Sequence, residues 1–277
     1  MRLYLFGDCG SVTHISQSLY KHMESIFRRE DWILYLGDNF YPDGVKSVND
    51  PEWRDNWESM IKPLLHRYGS INTRAILGNH DYHQDPFAQI AFSFRHSSWS
   101  TPFFYYDVRI NEDVHLIMID TCMFAQQYTA QLLKTCGRSD EFLNEYNSEY
   151  GGEMQYRWLE SILDKSTARW KIVCGHYPII SHGPHTVSNE LDALHRLLNR
   201  YNTSLYVSGH DHNMQMHTDK RGMTHLISGA VCLFSPPTRG PCIIPGPGVM
   251  YVEYNDRNLY IYTINAHTLE HSLIKIM

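Results

Sequence analysis

Trp32-Ile33-Leu34-Tyr35-Leu36-Gly37-Asp38-Asn39-Phe40-Tyr41 is the stretch that decides the fold. Its first five residues are an uninterrupted apolar run, the pattern of a strand buried on both faces in a mostly parallel sheet. Gly37 then permits a sharp turn at the strand end. Asp38 is thereby delivered to the carboxyl edge of the sheet, where open α/β folds keep their active sites. A carboxylate bridges two metal ions, one through each oxygen. Tyr41, three residues on, offers a phenolate, a hard ligand suited to a ferric ion. The same Gly-Asp step also serves as a turn or a helix N-cap, so its meaning depends on the rest of the chain.

Working outward, the pattern recurs four times. Residues 3–6 read as a strand and end in Gly7-Asp8-Cys9-Gly10. Residues 73–77 end in Gly78-Asn79-His80-Asp81, Trp170–Cys174 in Gly175-His176-Tyr177-Pro178, and residues 204–207 run into Gly209-His210-Asp211-His212. Between these strands the spacing predicts helices over 13–29, 52–65, 154–163 and 191–198. Residues 103–108 and 114–119 read as a hairpin. Strands at 224–228, 249–254 and 259–264 are expected to complete a second sheet. Residues 86–101 read as aromatic and irregular, and 124–152 as a polar surface insertion. With no repeat or linker, one domain over 1–277 is the simplest organisation.

Composition narrows the function. The 277 residues carry a net charge of −6, which argues against a nucleic-acid or anionic membrane partner. Attraction of an anionic substrate must therefore be local to the site. No apolar run is long enough to span a bilayer. The six cysteines form no CxxC pair, and Cys9, Cys122, Cys174 and Cys232 read as reduced core residues. Because the first core strand begins at once, the chain as written is expected in the cytoplasm; a preceding leader would make it secreted or lysosomal.

Taken jointly, the strand ends supply two Asp, one Tyr, one Asn and three His. These are O and N ligands for two metals sharing a bridge. The lack of Cys among them argues against a structural zinc site. A metal pair is the machinery of in-line displacement at phosphorus. His80, His83, His182, His185 and His217 lie in the neighbouring loops. Asp120, ending a core strand, reads as a cap or a hydrogen-bonding support.

These blocks resemble the five motifs of the calcineurin-like metallophosphoesterases. Tyr41 in the second block is similar to the purple acid phosphatases, and Ala88-Gln89-Ile90-Ala91, Gly175-His176-Tyr177-Pro178 and His182-Gly183-Pro184 resemble their small tartrate-resistant, animal-type branch. The resemblance implies an α/β, four-layer αββα sandwich: two mixed β-sheets flanked by helices in a single domain. It implies a ferric site of Asp8, Asp38, Tyr41 and His212 and a divalent site (Fe, Zn or Mn) of Asp38, Asn79, His176 and His210, bridged by Asp38. It implies an acid phosphatase in which metal-bound hydroxide attacks the phosphorus of a monoester and His80 and His182 are the candidate proton donors. His80 could alternatively be an orienting residue paired with a carboxylate such as Asp211. His83, His185 and His217 read as bystanders or rim residues. A monomer acting on a small phosphomonoester or phosphopeptide is expected. The alternatives are a phosphodiesterase or protein phosphatase of the wider superfamily, and a non-catalytic metal-binding scaffold. The animal branch clamps a loop with a cysteine pair. Cys136 stands in a comparable stretch, but His185-Thr186-Val187 offers it no partner.

Overall fold

In the computed structural model, which describes residues 1–277 other than 142, 145, 147–150, 186–187, 238–239, 241–243 and 256, the Trp32–Leu36 run forms strand β2. It lies parallel between β1 (Arg2–Phe6) and β3 (Asn72–Ile76). Successive side chains of a strand point to opposite faces, and the apolar run supplies both. Tyr4, Phe6, Ile33 and Tyr35 pack under helix α1 (His14–Ile26) and helix α2 (Ser59–Tyr68). Leu3, Leu5, Leu34 and Leu36 face a second sheet, against Leu116, Met118, Ile172, Cys174, Leu205 and Val207. Thr13 caps α1 by accepting from the Ser16 amide, and the Ser16 hydroxyl accepts in return from the Thr13 amide at 2.9 Å.

Each sheet has six strands, ordered β12-β11-β10-β1-β2-β3 and β4-β5-β6-β7-β9-β8. The second holds β4 (Tyr106–Arg109), β5 (Val114–Met118), β6 (Trp170–Cys174), β7 (Leu205–Ser208), β8 (Met214–Thr218) and β9 (Thr224–Ser228). Its outer face carries Ile117, Val173 and Tyr206 under helices that present Leu159, Leu163, Leu194 and Leu197. Helices, sheet, sheet and helices therefore stack in four layers, the architecture expected. Among the described residues no helix is long and apolar enough to cross a membrane.

Three expectations change. β10 (Gly248–Tyr254) and β11 (Leu259–Asn265) join the first sheet, because β10 pairs antiparallel with the open edge of β1. Alternation marks a strand but does not select its partner. β8 and β12 (His271–Ile276) are additional edge strands, and Pro86–Phe92 is a helix, α3, capped by Asp85. The stretch read as a surface insertion is part of the core: Ala125, Leu133, Leu143 and Tyr146 are buried with the helices of the second sheet. Leading into it, α4 (Thr121–Phe124) starts on Asp120, whose carboxylate caps the Cys122 amide at 2.9 Å. Burial pushes the Asp120 carboxyl up to about 7. Further helices among the described residues are α5 (Gln126–Thr135), α6 (Gly152–Lys165) and α7 (Asp192–Arg200). Cys136 is exposed and unpaired; Thr186 and Val187, and much of the loop over 236–247, lie outside the described residues.

Candidate metal centre

The strand-end motifs of β1, β2, β3, β6 and β7 converge where the two sheets meet. Asp8, Asp38 and His210 have φ of 54°, 53° and 69°, three of the five non-glycine residues with positive φ among the described residues. Side chains rarely adopt this left-handed region, and such strain marks a site where backbone is held for a purpose. The flanking glycines make room. A Cβ on Gly78 would overlap the Asp38 carboxylate, and one on Gly209 the Asp8 carboxylate.

Tyr41 is at the middle of one group. Its hydroxyl lies 3.1 Å from Asp8 Oδ1, 3.0 Å from Asp38 Oδ2 and 3.2 Å from His212 Nε2. Asp38 continues into a second group. Its Oδ1 accepts from the His80 amide at 2.9 Å and stands 3.4 Å from His176 Nε2. His176 Nε2 is in turn 3.1 Å from Asn79 Oδ1. The other His176 nitrogen, Nδ1, is 2.8 Å from the Leu36 carbonyl. Nδ1 must be a protonated nitrogen there, because a carbonyl only accepts, which leaves Nε2 as the nitrogen that can offer a lone pair to a cation. The His210 amide donates to Asp8 Oδ2 at 2.7 Å, and the His176 and His210 rings are 5.2 Å apart.

The charges agree with this reading. Burial first, and the neighbouring Asp38 and Asp8 next, hold the Tyr41 phenol well above its usual range; only a strong cation would make it a phenolate. Burial, then the neighbouring His176, drives the His210 ring well below the usual range, so it is neutral. Burial opposes ionisation of Asp38, but His176 and His80 outweigh it and hold the carboxyl low.

The fit to a pair of metals follows from the spacing. Ligand atoms bonded at about 2 Å to one ion stand roughly 3 Å apart, as the atoms around the Tyr41 hydroxyl do. Ligand atoms of Asp8, Asp38 and His176 all lie within 4.8 Å of one another. The donor set is O-rich on the Tyr41 side and N-rich on the Asn79 side, which suits a harder and a softer ion.

The histidines of the rim differ from expectation. His80 does not meet Asp211: its Nδ1 is 2.6 Å from the Pro42 carbonyl and its ring lies 4.7 Å from Tyr41. Asp211 is held by the Ser181 hydroxyl and by the His185 amide at 3.1 Å. His182 lies ring to ring with His217 at 4.6 Å, and its amide donates to Gln215. His185, read as a bystander or rim residue, is the ring set against the cluster, tilted at 4.8 Å from His210 and edge-on at 5.7 Å from His212. His83 sits beside Asp43 at 3.1 Å, and Asp43 also pairs with Arg138.

Two supports were not anticipated. Asp81 is fully buried and accepts from the Gly78 amide at 2.8 Å, the Asn39 amide at 3.1 Å and Gln89 Nε2 at 2.7 Å. It thereby ties the second motif to the third. The only signal was its place after Asn79-His80. Tyr128 on α5 puts its hydroxyl 3.1 Å from His210 Nε2; nothing in its polar surroundings in sequence pointed to the site.

Comparison with known proteins agrees. The model of the calcineurin-like phosphoesterase family matches residues 1–214. Tartrate-resistant acid phosphatase type 5 of Rattus norvegicus is 32% identical over 96% of this chain and 87% of its own. Purple acid phosphatase 17 of Arabidopsis thaliana is 30% identical over 82% and 67%. Among solved structures, GAP50, the anchor in the inner membrane complex of Plasmodium, superposes with a TM-score of 0.75 at 22% identity, covering 100% of this chain and 89% of that one. A dimetal phosphatase from Danio rerio superposes with a TM-score of 0.66 at 13% identity, over 99% and 98%; these two likenesses show the fold alone. Strand-end motifs, four-layer fold and relatives coincide, and the chain belongs to the calcineurin-like phosphoesterases, in the branch of the purple acid phosphatases.

Proposed function

We propose that this protein is an acid phosphatase that hydrolyses small phosphate monoesters, including phosphopeptides, at a binuclear metal centre. In this reading Asp8, Asp38, Tyr41 and His212 hold a ferric ion. Asp38, Asn79, His176 and His210 hold a divalent ion, iron, zinc or manganese. The observation that carries it is the Tyr41 hydroxyl, within 3.0–3.2 Å of Asp8, Asp38 and His212 at once. When bound, two such ions supply positive charge for the phosphate oxygens and acidify water.

The chain's own residues do the rest. Asn79 turns its amide toward the site beside His176 and offers its N–H to a phosphate oxygen. The Leu36 carbonyl fixes the His176 tautomer. The leaving oxygen needs a proton, which a nearby imidazole delivers. The candidates are His80, whose ring borders Tyr41, and His182. The position of His185 over His210 and His212 favours His185 over His182 as the donor of that loop.

The anchor role named for the Plasmodium protein is that protein's own. Every expected ligand position is filled here, which favours turnover over a scaffold. The deciding experiment compares hydrolysis of p-nitrophenyl phosphate and bis(p-nitrophenyl) phosphate by iron- and zinc-reconstituted protein at acid pH. A monoester rate at least about tenfold higher is expected. Diester preference would move the enzyme to the wider superfamily, and an inert, metal-replete protein would leave only the scaffold.

A further inference from the structure

A second cluster of ligand-type side chains lies at the other edge of the second sheet, where β8 ends and β9 begins. Among the described residues, His195, Asp219 and His225 are the other group whose ligand atoms lie within 4.8 Å of one another. His195 comes from α7, Asp219 from the turn after β8, and His225 from β9. His195 Nε2 is 2.8 Å from Asp219 Oδ2, and His225 Nε2 is 3.6 Å from the same oxygen. The amides of Arg221 and Met223 occupy Asp219 Oδ1 at 2.9 and 3.0 Å. This orients the carboxylate so that Oδ2 faces both rings.

A hydrogen bond between His195 and Asp219, supported by Asn199 at 2.8 Å, accounts for two of the three residues. It does not account for His225. That ring is 1% exposed, and neither of its nitrogens has a hydrogen-bond partner. A buried polar group left unpaired is costly, and a bound ion is one of the few things that explains it. Burial, with His195 next in effect, pushes the His225 ring down to about 4. It is therefore neutral and carries a lone pair.

We propose that His195, Asp219 and His225 form a zinc site distinct from the binuclear centre, tying α7 to the β8–β9 hairpin. Two imidazoles and one carboxylate are a three-ligand zinc set that leaves one coordination position open. His195 and Asp219 line a cavity of about 650 Å³ together with Arg196, Asn199, Arg200 and Lys220. Water or a small anion can reach the cluster there.

The test uses the whole metal-replete protein and zinc alone as probe. Zinc content is measured after dialysis, for the parent chain and for His195→Ala and Asp219→Asn. Long-range ¹⁵N NMR of the imidazoles follows zinc addition to the parent. The parent should retain one zinc beyond the two metals of the centre, and each variant should lose that one while monoester hydrolysis stays unchanged. The ring signals of His195 and His225 should move on zinc addition. Equal zinc in parent and variants, or stationary ring signals in the parent, would overturn the site. The NMR arm needs no substitution, so a variant that folds poorly does not shield the proposal.

Discussion

The Tyr41 hydroxyl stands 3.1 Å from Oδ1 of Asp8, a residue 33 positions earlier in the chain. Two adjacent parallel strands, β1 and β2, bring them together by ending at the same sheet edge. A phenol wedged between two carboxylates and an imidazole is an improbable resting place without a cation, and this makes Tyr41 the most informative residue to change. Tyr41→Phe should abolish the visible phenolate-to-ferric absorption of the iron-loaded protein and lower kcat by at least about tenfold. A purple band that survives the substitution would remove Tyr41 from the ferric site.

The rim histidines separate by position. His185→Ala should reduce kcat for a monoester with a poor leaving group by about 100-fold, in line with general acid catalysis. It should leave metal content intact and matter little for an activated leaving group. His182→Ala, whose ring borders His217, should have the smaller effect. The reverse order in parallel steady-state assays would return the proton donor to His182.

In the proposed centre Tyr128 would act on the metal through His210. His210 Nε2 lies 3.1 Å from the Tyr128 hydroxyl, and an Nε2–H donor there would leave Nδ1 to coordinate. Tyr128→Phe should weaken retention of the divalent ion by about 10- to 100-fold with little change in thermal unfolding. Unchanged metal affinity in a competitive chelator titration would make Tyr128 a packing residue only.

His225 predicts a pH signature in the metal-free protein. Its folded value, about 4, lies below its unfolded value of 6.5. Between these the unfolded chain binds more protons, so stability is full above about pH 6.5 and declines as pH falls toward 4. The loss amounts to about 3 kcal/mol at most. His225→Gln should flatten that part of the profile, and excess zinc should make the parent's loss on acidification steeper. Urea unfolding across this range checks both; a parent profile already flat would contradict a neutral, buried ring.

Most of the fold was readable because the local signals were strong. Apolar pentapeptides stopping at Gly-polar steps marked β1, β2, β3, β6 and β7, and Asp8, Asp38, Asn79, His176 and His210 followed from where such strands end. Helices with one apolar face were legible by their 3.6-residue spacing. The attachment of β10 to β1 was not, because alternation looks alike in either sheet and only the competition among open edges decides partners. Residues 124–152 misled by their polarity, since the few apolar side chains there, Leu133 and Leu143 among them, bury far from their neighbours in sequence.

What the sequence alone determined is the set of candidate ligand types and the sheet edge that presents them, since both depend on short-range pattern. The tertiary structure decided which oxygen and nitrogen atoms come together at that edge. It put Tyr128 and Asp81 behind the candidate ligands, set His185 rather than His182 over His210, and closed His195, Asp219 and His225 into one cluster. Those relations join residues brought near only when the two sheets pack and the loops settle over their edges. Such contacts leave no periodic trace in the chain.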